Sequence, residues 1–360
     1  MPNPYRGKPD HQFWRKAVAT PASTDVDPIV SPKVAIARSH QIATAGSCFA
    51  QHIARTLSGQ RYRYMVTERE PAFAFSQNEN YGVFSARYGN IYTVRQLLQL
   101  FERAYATFEP VETAWLREDG RYVDPFRPYI QSDGFETVEQ LVQERDAHLA
   151  SVRTIFEDCD VFIFTLGLTE SWLSTVDGAA FPIAPGVVAP GVDPSSYRFH
   201  NFGVAEMQAD LDHFITRLRR VNPGVRILLT VSPVPLIATY EDRHVLTATT
   251  YSKAALRVTA DEVSRTHDGV DYFPSYEMIT GAHTRGAYFA EDLREVRPEG
   301  VAYVMQAFAR HYMREDGEQV SEPVLPSVKH ATDEAVAAQA ESMKRLGQLI
   351  CDEEEIERSL

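Results

Sequence analysis

Cysteine is scarce in this chain: three residues, Cys48, Cys159 and Cys351, among 360. An odd number at such wide spacing argues against a disulfide framework and against a cysteine-based zinc site, and it fits a reducing compartment. Positive charge is also in short supply. The 36 Lys and Arg against 49 Asp and Glu leave a net charge of −13, whereas nucleic acids and anionic membrane surfaces are both bound through a basic footprint. No apolar run approaches the length needed to span a bilayer, and Met1-Pro2-Asn3-Pro4-Tyr5-Arg6 lacks the apolar core of a signal peptide. The expectation is a cytoplasmic protein with no nucleic-acid partner and no membrane partner. A Gly-rich phosphate loop is missing, as is Gly-x-Gly-x-x-Gly after the first strand, so no nucleotide cofactor is expected. Asp210, Asp212 and His213 crowd one helix beside Leu211 and Phe214. They read as a polar helix face, and no metal is expected.

What the chain does have is hydrophobic content of 44%, ample for a core, in alternating strand and helix patterns. Ile42-Ala43-Thr44-Ala45 reads as a buried strand, followed by Phe49, Ile53 and Leu57 at helical spacing. Tyr62 to Val66 alternates as a second strand would. Helices are expected from Val94 to Phe101, from Glu136 to Phe156, after Val204, from Tyr251 to Val263 and from Pro298 to Tyr312. Asp160 to Leu166, Arg226 to Val231 and Val270 to Phe273 read as strands of a parallel sheet covered on both faces. Residues 106–135 read as loop with short strands, and 174–200, with four prolines, as loop. This order predicts an α/β fold, a three-layer α/β/α sandwich with a mainly parallel sheet, whose ligands gather at the carboxyl ends of strands. The expected divisions are an extended arm over 1–38, the α/β domain over 39–316 and a helical tail over 317–360. A helix from Asp333 to Ile350 in that tail carries an apolar stripe suited to packing against the domain or against a second subunit of a homo-oligomer, with a solvated helix the alternative.

Chemistry is expected at Gly46-Ser47-Cys48, a strand-to-helix turn where the first N–H groups of a helix lack intrahelical partners and can stabilise an anion. Two plainer roles compete for these residues. Ser47 is a good helix cap, and Cys48 is a small hydrophobe suited to a core. Gly89 and Asn90 likewise stand just ahead of a helix, and Gly167 to Glu170 just after the strongest strand.

The string Gly46-Ser47-Cys48-Phe49-Ala50 resembles the signature of the GSCFA family. So do Arg87-Tyr88-Gly89-Asn90-Ile91-Tyr92-Thr93, Thr165-Leu166-Gly167-Leu168-Thr169-Glu170, Thr230-Val231-Ser232-Pro233-Val234-Pro235, Tyr251-Ser252-Lys253 and Phe273-Pro274-Ser275-Tyr276-Glu277. That family is related to the SGNH (GDSL-like) acyl hydrolases, which implies a flavodoxin-like sheet and an acyl-enzyme mechanism. Counting two residues from Gly46, as in SGNH enzymes, places Cys48 in the nucleophile's seat, with Ser47 the alternative if the turn is offset by one. The resemblance implies Gly89 as an oxyanion N–H donor, with Asn90 as a further amide, and Thr169 where the oxyanion Asn stands, between Gly167 and Glu170. Asp292-Leu293-Arg294-Glu295 falls where Asp-x-x-His is expected, with Glu295 in place of the histidine. The base is then Glu295 itself or a histidine from elsewhere, His200 or His244, of which His244 follows a strand end. The function implied is an esterase or O-acyltransferase using a small-molecule or sugar acceptor and an acyl donor. The alternative is a catalytically silent small-molecule-binding protein that keeps the pocket and lacks the base.

Overall fold

Alternation along the central strands sets the layers. A computed structural model describes residues 1–69 and 80–314, together with Glu354 and Ile356. Its elements begin with β1 (Ile36–Ala37), β2 (Ile42–Gly46) and α1 (Ala50–Gly59). Next come α2 (Val94–Ala104), β3 (Trp115–Leu116), β4 (Tyr122–Val123), α3 (Val138–Asp158), β5 (Val161–Leu166), β6 (Glu170–Ser174) and β7 (Ala180–Phe181). After α4 (Pro185–Val188) follow β8 (Tyr197–Asn201), α5 (Val204–Val221), β9 (Arg226–Val231), α6 (Val245–Thr266) and β10 (Val270–Phe273). The last elements described are α7 (Ser275–Thr280), α8 (Pro298–Tyr312) and β11 (Met313–Arg314).

The main sheet is parallel throughout, in the order β10-β9-β5-β2. On β5, Phe162, Phe164 and Leu166 join the core beneath α2, α3, α5 and α6, while Val161 and Ile163 join the core beneath α1, α7 and α8. Successive side chains of a strand point to opposite faces, so a continuously apolar strand needs cover on both. The result is the three-layer sandwich expected. The bounds of β9, β10 and α8 coincide with those read from sequence.

Two segments differ from expectation. Tyr62 to Val66 narrows to one bridging residue, Tyr64, parallel to Ile42 on the outer side of β2. The Tyr64 hydroxyl turns inward to Thr44 Oγ1 at 2.9 Å, anchoring a segment too short for a ladder. Residues 174–200, read as loop from their prolines, contain β7 and β8, which pair antiparallel with β6. The β6–β8 register sets Trp172 against Phe199 and Glu170 against Asn201, a cross-strand pattern that four prolines nearby obscure.

Because the chain leaves β2, adds Tyr64 to one side and later β5 to the other, the sheet changes winding direction at β2. The carboxyl end of β2 is therefore the crevice position of a doubly wound sheet.

Within residues 1–38, Asp10–Gln12, Arg15–Ala19 and Ser23–Asp25 form short helical turns. Val26, Ile29, Val34 and Ile36 are buried, and the Lys33 N–H donates to Asp271 Oδ2 at 2.6 Å. The expected tail helix from Asp333 to Ile350 lies outside the described residues. Among the described residues no helix is long and apolar enough to cross a membrane.

Candidate active site

At the end of β2 the backbone runs too close to β5 for any side chain. Gly46 has φ +135, and a Cβ there would stand 2.3 Å from the Thr165 carbonyl oxygen. Only glycine satisfies both constraints. The next residue, Ser47, donates its N–H to Thr165 O at 3.1 Å, and the chain then enters α1.

That turn sends the two candidate nucleophiles in different directions. Cys48 is 2% exposed and belongs to the apolar cluster with Phe49, Ile53 and Met278. Ser47 is 3% exposed and packs on Gly167, where an added Cβ would lie 2.9 Å from the Ser47 Cβ and 3.3 Å from the Tyr92 carbonyl. Its Oγ is buried with no hydrogen-bond partner among the described residues, and the same holds for the hydroxyls of Thr165 and Thr169. Leaving a buried hydroxyl unsatisfied costs about 1–3 kcal/mol, so these hydroxyls near the ends of β2 and β5 favour a hydrogen-bonding ligand or water there.

Neighbouring elements converge on this point. The Ile91 N–H donates to Gly46 O at 2.9 Å, which draws the Gly89–Asn90 turn against β2. Gly89 has φ +67, and Asn90 is buried. The N–H groups of Cys48 and Gly89 make no backbone hydrogen bond among the described residues. The Gly167 and Leu168 N–H groups both donate to Tyr92 O, at 3.0 and 2.9 Å. From α6, Lys253, 3% exposed, extends its Nζ to Gly167 O at 2.7 Å. The adjacent Ser252 accepts the Thr169 N–H at 3.2 Å. Sequence reasoning gave no role to Lys253 or Ser252, although Tyr251-Ser252-Lys253 stood among the family-like motifs. A lysine and serine next to each other on a helix buried on one side were the available signal.

None of the remaining candidates hydrogen-bonds the Ser47 hydroxyl, although Asp292 lines a nearby cleft. His244 is exposed and caps α6, its Nδ1 accepting the Leu246 N–H at 3.1 Å. His200 lies on β8 with Nε2 at 2.9 Å from Glu206 Oε1. Asp292 folds its own loop, Oδ1 accepting the N–H groups of Arg294 and Glu295 at 3.0 Å each, and the Glu295 side chain is exposed. Glu170 is half-buried and accepts from Thr239 Oγ1 at 2.7 Å and from the Tyr240 N–H at 3.3 Å. Burial pushes its carboxyl upward in pKa against these two bonds.

A cleft of about 610 Å³, lined by Pro235, Leu236, Val245, Leu246, Leu293 and Arg294 among others, opens beside this region. Leu236 also packs with Tyr92 and Leu168, the residues flanking Gly167. Among the described residues no three His, Cys, Asp or Glu side chains converge as metal ligands.

No curated protein matches the chain. Among solved structures, a Clostridium thermocellum family 3 carbohydrate esterase is similar at 9% identity and a TM-score of 0.32, over 75% of this chain and 94% of the esterase. A carbohydrate esterase family 3 from Talaromyces cellulolyticus is similar at 8% identity and a TM-score of 0.33, over 75% and 95%. The model of the GSCFA family matches residues 41–308, most of the chain and all of the site just described. The chain belongs to the GSCFA family.

Proposed function

We propose that the chain catalyses acyl transfer, as an esterase or O-acyltransferase, through an ester formed on Ser47. The observation that carries this is the Ser47 hydroxyl: buried, unpartnered, and set at the crevice position of the sheet beside two N–H groups with no backbone acceptor among the described residues. Ser47 takes the nucleophile's role ahead of Cys48, whose side chain is enclosed by apolar neighbours. The roles of an SGNH site are redistributed here. Ser47 Oγ attacks the acyl carbonyl and its proton passes through one water to Lys253, which must be in its neutral form for this step and whose Nζ reaches the carbonyl of Gly167, the residue on which Ser47 packs. The N–H groups of Cys48 and Gly89, with the Thr169 hydroxyl, hold the tetrahedral oxyanion. Collapse expels the donor's leaving group, which takes the proton from Lys253. Water or an acceptor hydroxyl, a sugar or small metabolite in the cleft, then repeats the steps in reverse and frees Ser47.

The test is intact mass after incubation with p-nitrophenyl acetate, and separately with a fluorophosphonate, on wild type, Ser47→Ala, Cys48→Ala and Lys253→Met. The expected result is an adduct that survives Cys48→Ala, disappears in Ser47→Ala and forms at least about 100-fold more slowly in Lys253→Met, in line with the loss of a general base. An adduct lost only in Cys48→Ala would return the nucleophile to the thiol. No adduct in any variant would leave the alternative, a small-molecule-binding protein that keeps the pocket without the reaction.

A further inference from the structure

On the α2 side of the sheet lies a small, partly open cavity of about 20 Å³, lined in part by Asn90, Gln96, Gln99, Arg103, Phe126 and Arg127. A cavity of this size has room for one water-sized particle. Its polar wall is unusual in one respect. Arg103 is 8% exposed, and its Nη2 has no hydrogen-bond partner among the described residues. The guanidinium lies on the Phe126 ring, 3.7 Å from the centroid. The nearby carboxylate, Asp124, is fully buried and already committed: Oδ2 pairs with Arg127 at 3.0 Å and Oδ1 with Arg145 at 3.1 Å. Gln99 is committed too, donating to Gly178 O at 2.9 Å and accepting the Ala180 N–H at 2.8 Å. Arg127 uses its other bonds on the Arg87 carbonyl at 3.1 Å and Glu144 at 2.5 Å.

A buried guanidinium without a hydrogen-bonded counter-charge is costly, and removing one partner of a buried pair leaves an energetic gap of several kcal/mol. Water in the cavity would satisfy the N–H and leave the charge. We propose that this cavity binds a single monovalent anion of halide size, chloride under ordinary conditions, held by Arg103 with Arg127 beside it. Burial pulls the Arg103 pKa down to about 9, and the neighbouring Arg145 and Arg127 add to this while Asp124 opposes it; the group is still charged at neutral pH and needs a counter-ion. The site stands independently of the acyl-transfer reading, because it rests on the cavity and its cation alone.

The test compares thermal midpoints in sodium chloride and sodium gluconate at equal ionic strength, for wild type and Arg103→Met, with anomalous diffraction from crystals grown in bromide. The expected result is a wild-type midpoint about 2–4 °C higher in chloride, a size typical of one modest ligand on a domain of this class. The expected bromide peak lies in the cavity, and the chloride-specific shift is absent in Arg103→Met. If Arg103→Met does not fold, the wild-type chloride shift together with the bromide peak still decides the matter. Equal wild-type midpoints in the two salts with no peak would overturn the proposal and leave the cavity to water; a peak with no chloride-specific shift would mark an adventitious ion only.

Discussion

Ser47 and Cys48 are neighbours in sequence with opposite environments, and the difference arises at the end of a strand. β2 ends at Gly46, and the turn that follows sets Ser47 on Gly167 with its hydroxyl unpartnered among the described residues, while Cys48 enters a closed apolar cluster. Gly167 is the test of this arrangement. A methyl group there would press on the Ser47 Cβ at 2.9 Å and on the Tyr92 ring and carbonyl at 3.3 Å. Gly167→Ala should cost about 1–3 kcal/mol of stability by overpacking and slow adduct formation more than Cys48→Ala does. Urea unfolding and adduct mass together check it; adduct formation at the wild-type rate would mean that Ser47 is not the reacting group. The motifs single out Gly46, Ser47, Gly89 and Thr169 from the amino-acid order alone. The choice between hydroxyl and thiol is not legible there, because counting from Gly46 carries no information on which layer receives each side chain. Lys253 is hidden for a related reason: its importance lies in the backbone carbonyl it reaches, 86 residues away in sequence.

Among the elements, the long apolar strands and the capped helices were the readable part. Thr93 caps α2 in a capping box with Gln96, and Thr137 caps α3, signals that sequence carries directly. The short antiparallel sheet of β6, β7 and β8 was not readable, since its strands gain stability only from partners distant in sequence. Its edge has a definite task. Glu170, at the start of β6, holds the segment after β9 through Thr239 and Tyr240, and Tyr240 adds ring contacts with Trp172 at 4.7 Å and Phe199 at 5.3 Å. Hydrogen bonds to a charged group contribute about 1.5–3 kcal/mol. In Glu170→Ala the Tyr240 amide should therefore exchange with deuterium roughly 10- to 100-fold faster, while amides of β5 keep their protection. Unchanged exchange at Tyr240 would show that the aromatic contacts suffice.

For the whole molecule, buried ionisable groups set the response to acid. His52 on α1 is pulled down to about 3 from its ordinary 6.5, by burial first and then by Arg55. His148 on α3 is pulled down to about 4, by burial first and then by Arg127, with Glu68 opposing. His148 Nδ1 donates to Glu68 Oε2 at 2.7 Å. Glu68 falls from 4.5 to about 2 because bonds from His148 and the Arg87 N–H, with the charge of Arg127, outweigh its burial. In all three the unfolded chain takes up protons at a higher pH than the folded one. Their contribution is complete above pH 6.5, declines as the histidines of the unfolded state charge, declines again below 4.5 as Glu68 follows, and is gone near pH 2. Thermal midpoints should be level above neutrality and fall continuously below it; a His52→Gln, His148→Gln variant should flatten the upper part of that fall. A midpoint that stays level down to pH 4 in wild type would contradict the assignment. Composition foretold none of this, since 11 histidines say nothing of which are enclosed. One last feature concerns the path of the chain. The parallel pairing of Ile36 with Met313 and Ala37 with Arg314 brings the beginning and the end of the α/β layers side by side, so the backbone between them runs almost as a closed ring. A ring has no privileged starting point: joining these ends by a short linker and opening the chain at the exposed Glu118–Gly120 turn would preserve the strand order of the main sheet, and the order of synthesis would change while that architecture stayed the same.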